Sequence, residues 1–239
     1  MSPEIIYEDE HILVLNKPAG LVVHSDGKTK EETLCDWVLE NYPEMENIGE
    51  PIDTGEAIIK RPGIVHRLDR ETSGAIVLAK DQDTFYFLKE QFQNREIEKV
   101  YNAVVWGNIK QDKGVIDAPI GRSGKDFRQW SAMRGARGQL RVAVTEYKVL
   151  SRFEENGEKF VFLEVRPKTG RTHQIRVHMK YLNNPLVCDS LYAESRPCVL
   201  GFNRVALHAR QITLEIPDKG RKSFEAPFPE DFMEILAKV

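Results

Sequence analysis

Two β-type runs, "VAVTEYKVLSRF" and "KFVFLEVRP", flank the spacer "EENGE", and this arrangement restricts the fold more tightly than any other stretch. Asn156 and Gly157 supply the tight turn, so the segment predicts an antiparallel hairpin. The rest of the chain follows the same habit. "EIIYEDEHILVLNKPAGLVVH" reads as short strands with turns around Glu8 to Glu10 and at "KPAG", and "GAIVLAK" and "KVYNAVVWG" read as further strands. Helices are few. "TKEETLCDWVLENYPE" sets Leu34, Trp37, Val38 and Tyr42 at helical spacing between Thr29 as cap and Pro43 as stop. Asp81 caps a second helix with Phe85, Leu88 and Phe92 on one face. "TGRTHQIRVHMKYLNNP" gives a third, with Ile175, Met179 and Leu182 aligned, and the C-terminal segments give strands and a short helix. Residues 44–63 read as an irregular loop with a mobile tip. Strands that arrive in consecutive pairs predict an α+β fold with a mixed, mainly antiparallel central sheet flanked by helices and loops, not a doubly wound one.

With 239 residues and 41% hydrophobic side chains, the chain can bury a sizeable core, and neither repeat nor linker divides it. One domain, 1–239, is expected. Cys35, Cys188 and Cys198 form no CxxC pair, which predicts reduced thiols, no disulfide and a cytoplasmic setting. The polar start "MSPEIIYEDEH" and the lack of an apolar run of about 18 residues predict a protein without a membrane partner. The net charge of -3 hides a gradient: residues 1–56 hold 14 acids and 3 bases, a net of -11, and the remainder carries +8. Residues 121–141, with six bases and one acid, form a candidate basic arm over a polyanion. The marks of phosphate-binding loops, dinucleotide folds and serine hydrolases are missing, and His173 and His178 are five apart rather than the four of a helical metal pair. No metal or cofactor is expected.

One acid stands out. Asp69 lies in "PGIVHRLDRETSGAIVLAK" between two arginines and beside an apolar strand. A carboxylate withdrawn from water there must be paired, because an isolated one protonates instead. By itself this fits either a structural ion pair stitching a loop or a reacting group.

"HRLDRETSG", "KVYNAVV" and "RPKTGRTHQIRVH", with "LNKPAGLVVH" and "ALHA", resemble, in order and spacing, the motifs of the RluA family of pseudouridine synthases. The resemblance spans nearly the whole chain, and the HRLDxxTSG element is specific to that family. It implies the pseudouridine synthase fold with a central basic cleft. The implied reaction is isomerisation of uridine in rRNA, tRNA or both: the base-to-ribose bond is cut, the uracil turns, and a ring carbon bonds the same sugar carbon, without cofactor or metal. Asp69 is then the catalytic residue, a nucleophile or stabiliser of an oxocarbenium-like centre, with the order of steps open. Arg176 is its counter-ion, Arg67 fills the place vacated by the flipped base, and Tyr101 packs on the uracil. Ile175, Leu207 and His208 are implied as pocket-wall residues, and Thr72, Ser73 and Gly74 as shapers of the turn. The chain resembles the short subclass without an S4 domain, so substrate choice falls to the catalytic domain and its arm. Structured RNA loops suit such recognition; DNA is not an expected partner, and a monomer is the default. Cys188 stands where relatives often have glycine, which bears on local turn geometry. Arg70 has no assigned role beyond solvated surface. The rivals are a non-catalytic RNA-binding module that keeps the fold, and a nucleoside glycosidase, which needs a second carboxylate.

Overall fold

The computed structural model describes residues 1–25, 27, 30–53, 55, 58–134 and 136–238. Strands β1 (Glu4–Glu8) and β2 (Ile12–Lys17) pair antiparallel around Asp9, whose Oδ1 accepts the N–H groups of His11 and Ile12 at 2.9 and 2.8 Å. Helix α1 (Leu34–Asn41) begins one turn later than expected from a Thr29 cap, a residue that lies outside the described ones. Its cap is Thr33: the hydroxyl accepts the Asp36 N–H at 3.2 Å, and the Asp36 carboxylate accepts the Thr33 N–H at 2.9 Å. That reciprocal box satisfies two donors that a helix start otherwise leaves open.

Pro43 stops α1 and opens a 3-10 turn, Pro43–Asn47, and a small hairpin of β3 (Ile52–Asp53) and β4 (Ile58–Ile59) follows. The stretch expected as an irregular loop is therefore partly ordered; its tip at 54, 56 and 57 lies outside the described residues. In β5 (Ser73–Ala79) all seven residues are buried, as the unbroken apolar run requires of a central strand. Asp81 caps α2 (Gln82–Asn94) by accepting the Thr84 N–H at 2.7 Å.

Beyond β6 (Glu98–Trp106) come β7 (Lys113–Asp117), β8 (Ile120–Arg122), β9 (Trp130–Ser131) and β10 (Arg137–Arg141). The expected hairpin is formed by β11 (Val144–Glu155) and β12 (Glu158–Pro167), with Asn156 and Gly157 at φ 54° and 80°. Both turn residues take the left-handed conformation that matches the twist of the strands. The chain closes with α3 (Gln174–Tyr181), β13 (Leu207–Ile216), β14 (Gly220–Glu225) and α4 (Glu230–Leu236).

These elements form two compact units, Met1–Glu98 with Ala209–Pro227, and Lys99–His208 with Phe228–Val239. In the first unit the sheet runs β1-β2-β5-β13, with β14 on β13, and Phe85 and Leu88 of α2 cover Val14, Ala75 and Val77. In the second it runs β6-β12-β11-β7. One face, Ala103, Val105, Val161 and Leu163, takes Ile175 and Met179 of α3; the other, Val104, Trp106, Phe160 and Phe162, takes Phe232 and Ile235 of α4. Each buried Val, Leu, Ile, Phe or Met side chain among these contributes about 1.5–3 kcal/mol by leaving water. Every strand pair with a described register is antiparallel, and the fold is α+β. Among the described residues no helix is long and apolar enough to cross a membrane.

One expectation is corrected outright. Cys188 and Cys198, read as free thiols, form a disulfide with Cα atoms 4.4 Å apart. Spacing rules built on CxxC do not see a pair ten residues apart, which the turns between them bring together. Cys188 holds φ 57°, so it adopts the backbone that a glycine would take there. Cys35 remains a free thiol, and burial pushes its pKa up to about 12.

Candidate active site

In the first unit, the chain runs beside β5 for two residues and then departs. The Ala79 N–H donates to the Gly63 carbonyl at 2.9 Å, and Ile64 bridges Leu78; the Val77 N–H then donates to His66 Nε2 at 3.0 Å. Leu68 is buried and anchors the excursion. Asp69 follows, half-buried rather than withdrawn from water, and its carbonyl accepts the Thr72 N–H at 3.1 Å to close a turn. The next carbonyl, that of Arg70, accepts from Gly20 N at 2.9 Å and from Lys17 Nζ at 3.0 Å.

Lys17 is wholly buried, and its ammonium also donates to the carbonyls of Pro18 and Leu21, each at 2.8 Å. Those oxygens replace the water a buried cation loses. The "KPAG" turn thus fastens the Asp69 loop from below. Gly74 ends the loop at φ 114°, where a Cβ would stand 2.2 Å from the Ala209 carbonyl oxygen, so only glycine fits. Arg70 itself reaches outward, with Nη2 2.6 Å from Glu31 Oε1 in a solvent-exposed pair. Arg67 is exposed and makes no hydrogen bond or ion pair among the described residues. Close by, burial first, and then the charges of Arg61 and Arg67, hold the His24 imidazole below its ordinary range.

The second unit carries the other expected residues. Tyr101, on β6, is half-buried and packs against the cluster that contains Ile175 and Leu207, both of them core members. Arg176, on α3, is 6% exposed. Its Nε and Nη2 donate to the two oxygens of Asp189 at 2.8 and 2.7 Å, and its guanidinium lies 5.1 Å from the centre of the Tyr192 ring. Asp189 Oδ1 also accepts the N–H groups of Leu191 and Tyr192 at 3.1 Å. No motif assigns this clamp, although its signal is present in the sequence: an acid inside the apolar "LVCDSLYA" has to be paired.

The Tyr192 hydroxyl is 2.9 Å from His173 Nδ1 and accepts the Trp130 N–H at 3.0 Å. Gln129 Nε2 donates to the Leu191 carbonyl at 2.7 Å and to Glu194 at 2.9 Å. The arm of β8, β9 and β10 is therefore ordered and tied to the segment that clamps Arg176. Within it the Arg122 guanidinium stacks 4.2 Å from the Trp130 ring centre, Phe127 is 83% exposed, and all of β10 faces solvent. His178 is a satisfied core histidine: its nitrogens meet Thr145 Oγ1 at 2.8 Å and the Ala118 carbonyl at 3.0 Å, and burial holds its pKa below the ordinary range. Among the described residues no three His, Cys, Asp or Glu side chains are grouped as metal ligands.

Residues 11–181 match the family model described as RNA pseudouridylate synthase. The chain is 39% identical over 237 residues to an uncharacterized RNA pseudouridine synthase, YlyB, of Bacillus subtilis, covering 99% of this chain and 72% of that protein. It is 41% identical over 246 residues to the ribosomal large subunit pseudouridine synthase D of Pseudomonas aeruginosa, covering 98% and 71%. Among solved structures it matches the human RNA pseudouridylate synthase domain containing 4, with a TM-score of 0.73 and 28% identity over 98% of this chain and 92% of that one.

Proposed function

The chain belongs to the RNA pseudouridylate synthase family, and on that footing we propose that it converts uridine to pseudouridine in large-subunit ribosomal RNA with Asp69 as the reacting carboxylate. In this isomerisation the bond from N1 to C1′ breaks, the uracil turns, and C5 bonds C1′. The C5 proton leaves and N1 gains one, so the atoms balance with no co-reactant. The observation that carries the reading is the family match over residues 11–181, which takes in the Asp69 loop and runs to the end of α3, where Arg176 sits.

A carboxylate serves as nucleophile only while ionised, and the motif assigns to Arg176 the cation that keeps Asp69 so. Two local features support the assignment of Asp69. The main chain around it is hooked at Arg70 by Lys17 and Gly20, which holds the side chain's base in place. Arg67, exposed and unpaired among the described residues, has a planar guanidinium available to stack where a flipped base has left. Extruding that base costs a few kcal/mol, and stacking on Tyr101 returns about 1–3 kcal/mol. Large-subunit RNA is the proposed substrate because the Pseudomonas relative bears that description. The enzyme is proposed to work as a monomer in the cytoplasm.

The test incubates the protein with ribosomal RNA and tRNA from cells lacking the enzyme and maps new pseudouridines by carbodiimide chemistry. New sites in large-subunit RNA are expected; sites in tRNA alone would move the substrate, and none in either pool would remove the activity. Asp69→Asn is expected to bind RNA as the wild type does and to lose turnover by roughly 10³-fold or more. Full activity in that variant would take Asp69 out of the reaction.

A further inference from the structure

We propose that His66 is a positioning residue for Asp69: its ring takes the place of a backbone carbonyl in the β5 ladder and so sets the point at which the catalytic loop leaves the sheet. The register makes this visible. Ala79 N donates to the Gly63 carbonyl at 2.9 Å and Ile64 bridges Leu78, so a strand continued to residue 65 would offer its carbonyl to the Val77 N–H. That N–H instead donates to His66 Nε2 at 3.0 Å.

Val77 is fully buried, and an unpaired amide there would cost about 1–3 kcal/mol. The imidazole satisfies it from a side chain, which releases the main chain at Val65 without orphaning a donor. Because Nε2 accepts, the ring is neutral and carries its proton on Nδ1. Its plane is fixed by stacking on Phe92 of α2, with centroids 4.6 Å apart and planes 27° apart.

Two residues separate this hook from Asp69, and one residue beyond Asp69 the Arg70 carbonyl is held by Lys17 and Gly20. The loop is thus pinned at 66 and at 70, with buried Leu68 between. Displacing the first pin moves the carboxylate while leaving the basic arm of β8, β9 and β10 unaltered. Misplacing a reacting group by about 1 Å lowers turnover by roughly 10²-fold, and this is the loss expected.

The role rests on Asp69 being the reacting carboxylate, and the experiment separates the two ideas. His66→Leu, which fills the space but accepts nothing, is compared with His66→Gln, whose amide oxygen reaches the same amide. The Leu variant is expected to lose kcat by roughly 10²-fold with KM for the RNA unchanged, and to exchange the Val77 amide hydrogen faster. The Gln variant is expected to regain most of both kcat and protection. A Leu variant with wild-type kcat overturns the role, as does a Gln variant that protects Val77 yet stays as slow as Leu. Should Leu fail to fold, His66→Asn, too short to reach Val77, replaces it, and equal kcat in Asn and Gln overturns the role. An inactive wild type would instead overturn the reaction, while unaltered Val77 exchange in the Leu or Asn variant would separately dismiss the hook.

Discussion

Arg176 and Asp189 are a buried ion pair with nearly every polar atom engaged, and such pairs are more costly to break than they are valuable to form. Asp189→Asn keeps the shape but removes the negative charge of the clamp, so urea unfolding should show a loss of about 3–5 kcal/mol. A change within about 0.5 kcal/mol would mean the clamp contributes nothing. At this scale Asp69 was legible because a specific motif surrounds it, and Gly74 because the TSG turn demands it. Asp189 was not, since its partner lies thirteen residues away on a helix whose inward face only the packing reveals. The role of Lys17 is not legible in its motif, because three carbonyls brought together by two turns leave no trace in side-chain chemistry.

The elements followed their local signals where those signals were strong. The β11–β12 turn and the Asp81 cap need only neighbours in sequence, and both stand where expected. The cap of α1 falls at Thr33, where the Asp36 carboxylate completes the box; the Thr29 spelling, with Glu32 three residues on, is an equally good local signal, so sequence alone does not choose between them. The arm is the instructive case. Its bases predict an arm, and that arm is a small ordered sheet because Gln129 and Trp130 bond the segment 191–194. Its bases and exposed Phe127 suit a single-stranded or looped RNA. Deleting residues 123–136 removes Lys125, Arg128 and Arg134, and should flatten the dependence of log affinity on log salt by about 1–2. An unchanged slope would show that the arm meets no phosphate.

For the whole molecule, the Cys188–Cys198 bridge matters through the unfolded chain, whose freedom it restricts. Closing a loop of that length stabilises by roughly 3 kcal/mol, equivalent to roughly 5–10 °C in the unfolding midpoint of a chain this size. Scanning calorimetry with and without reductant should show that shift in the wild type and none in Cys198→Ser; identical wild-type scans would mean that no bridge forms in solution. The sequence by itself determined the strand-rich α+β class and the family, because these depend on residue order and on short-range turn and cap chemistry. Tertiary structure alone decided that Cys188 meets Cys198, that Asp189 clamps Arg176, and that His66 and Lys17 pin the loop of Asp69 from two sides. The reason is physical: a hydrogen bond or disulfide between distant positions depends on where the chain's turns place two atoms, and composition and periodicity say nothing about that distance.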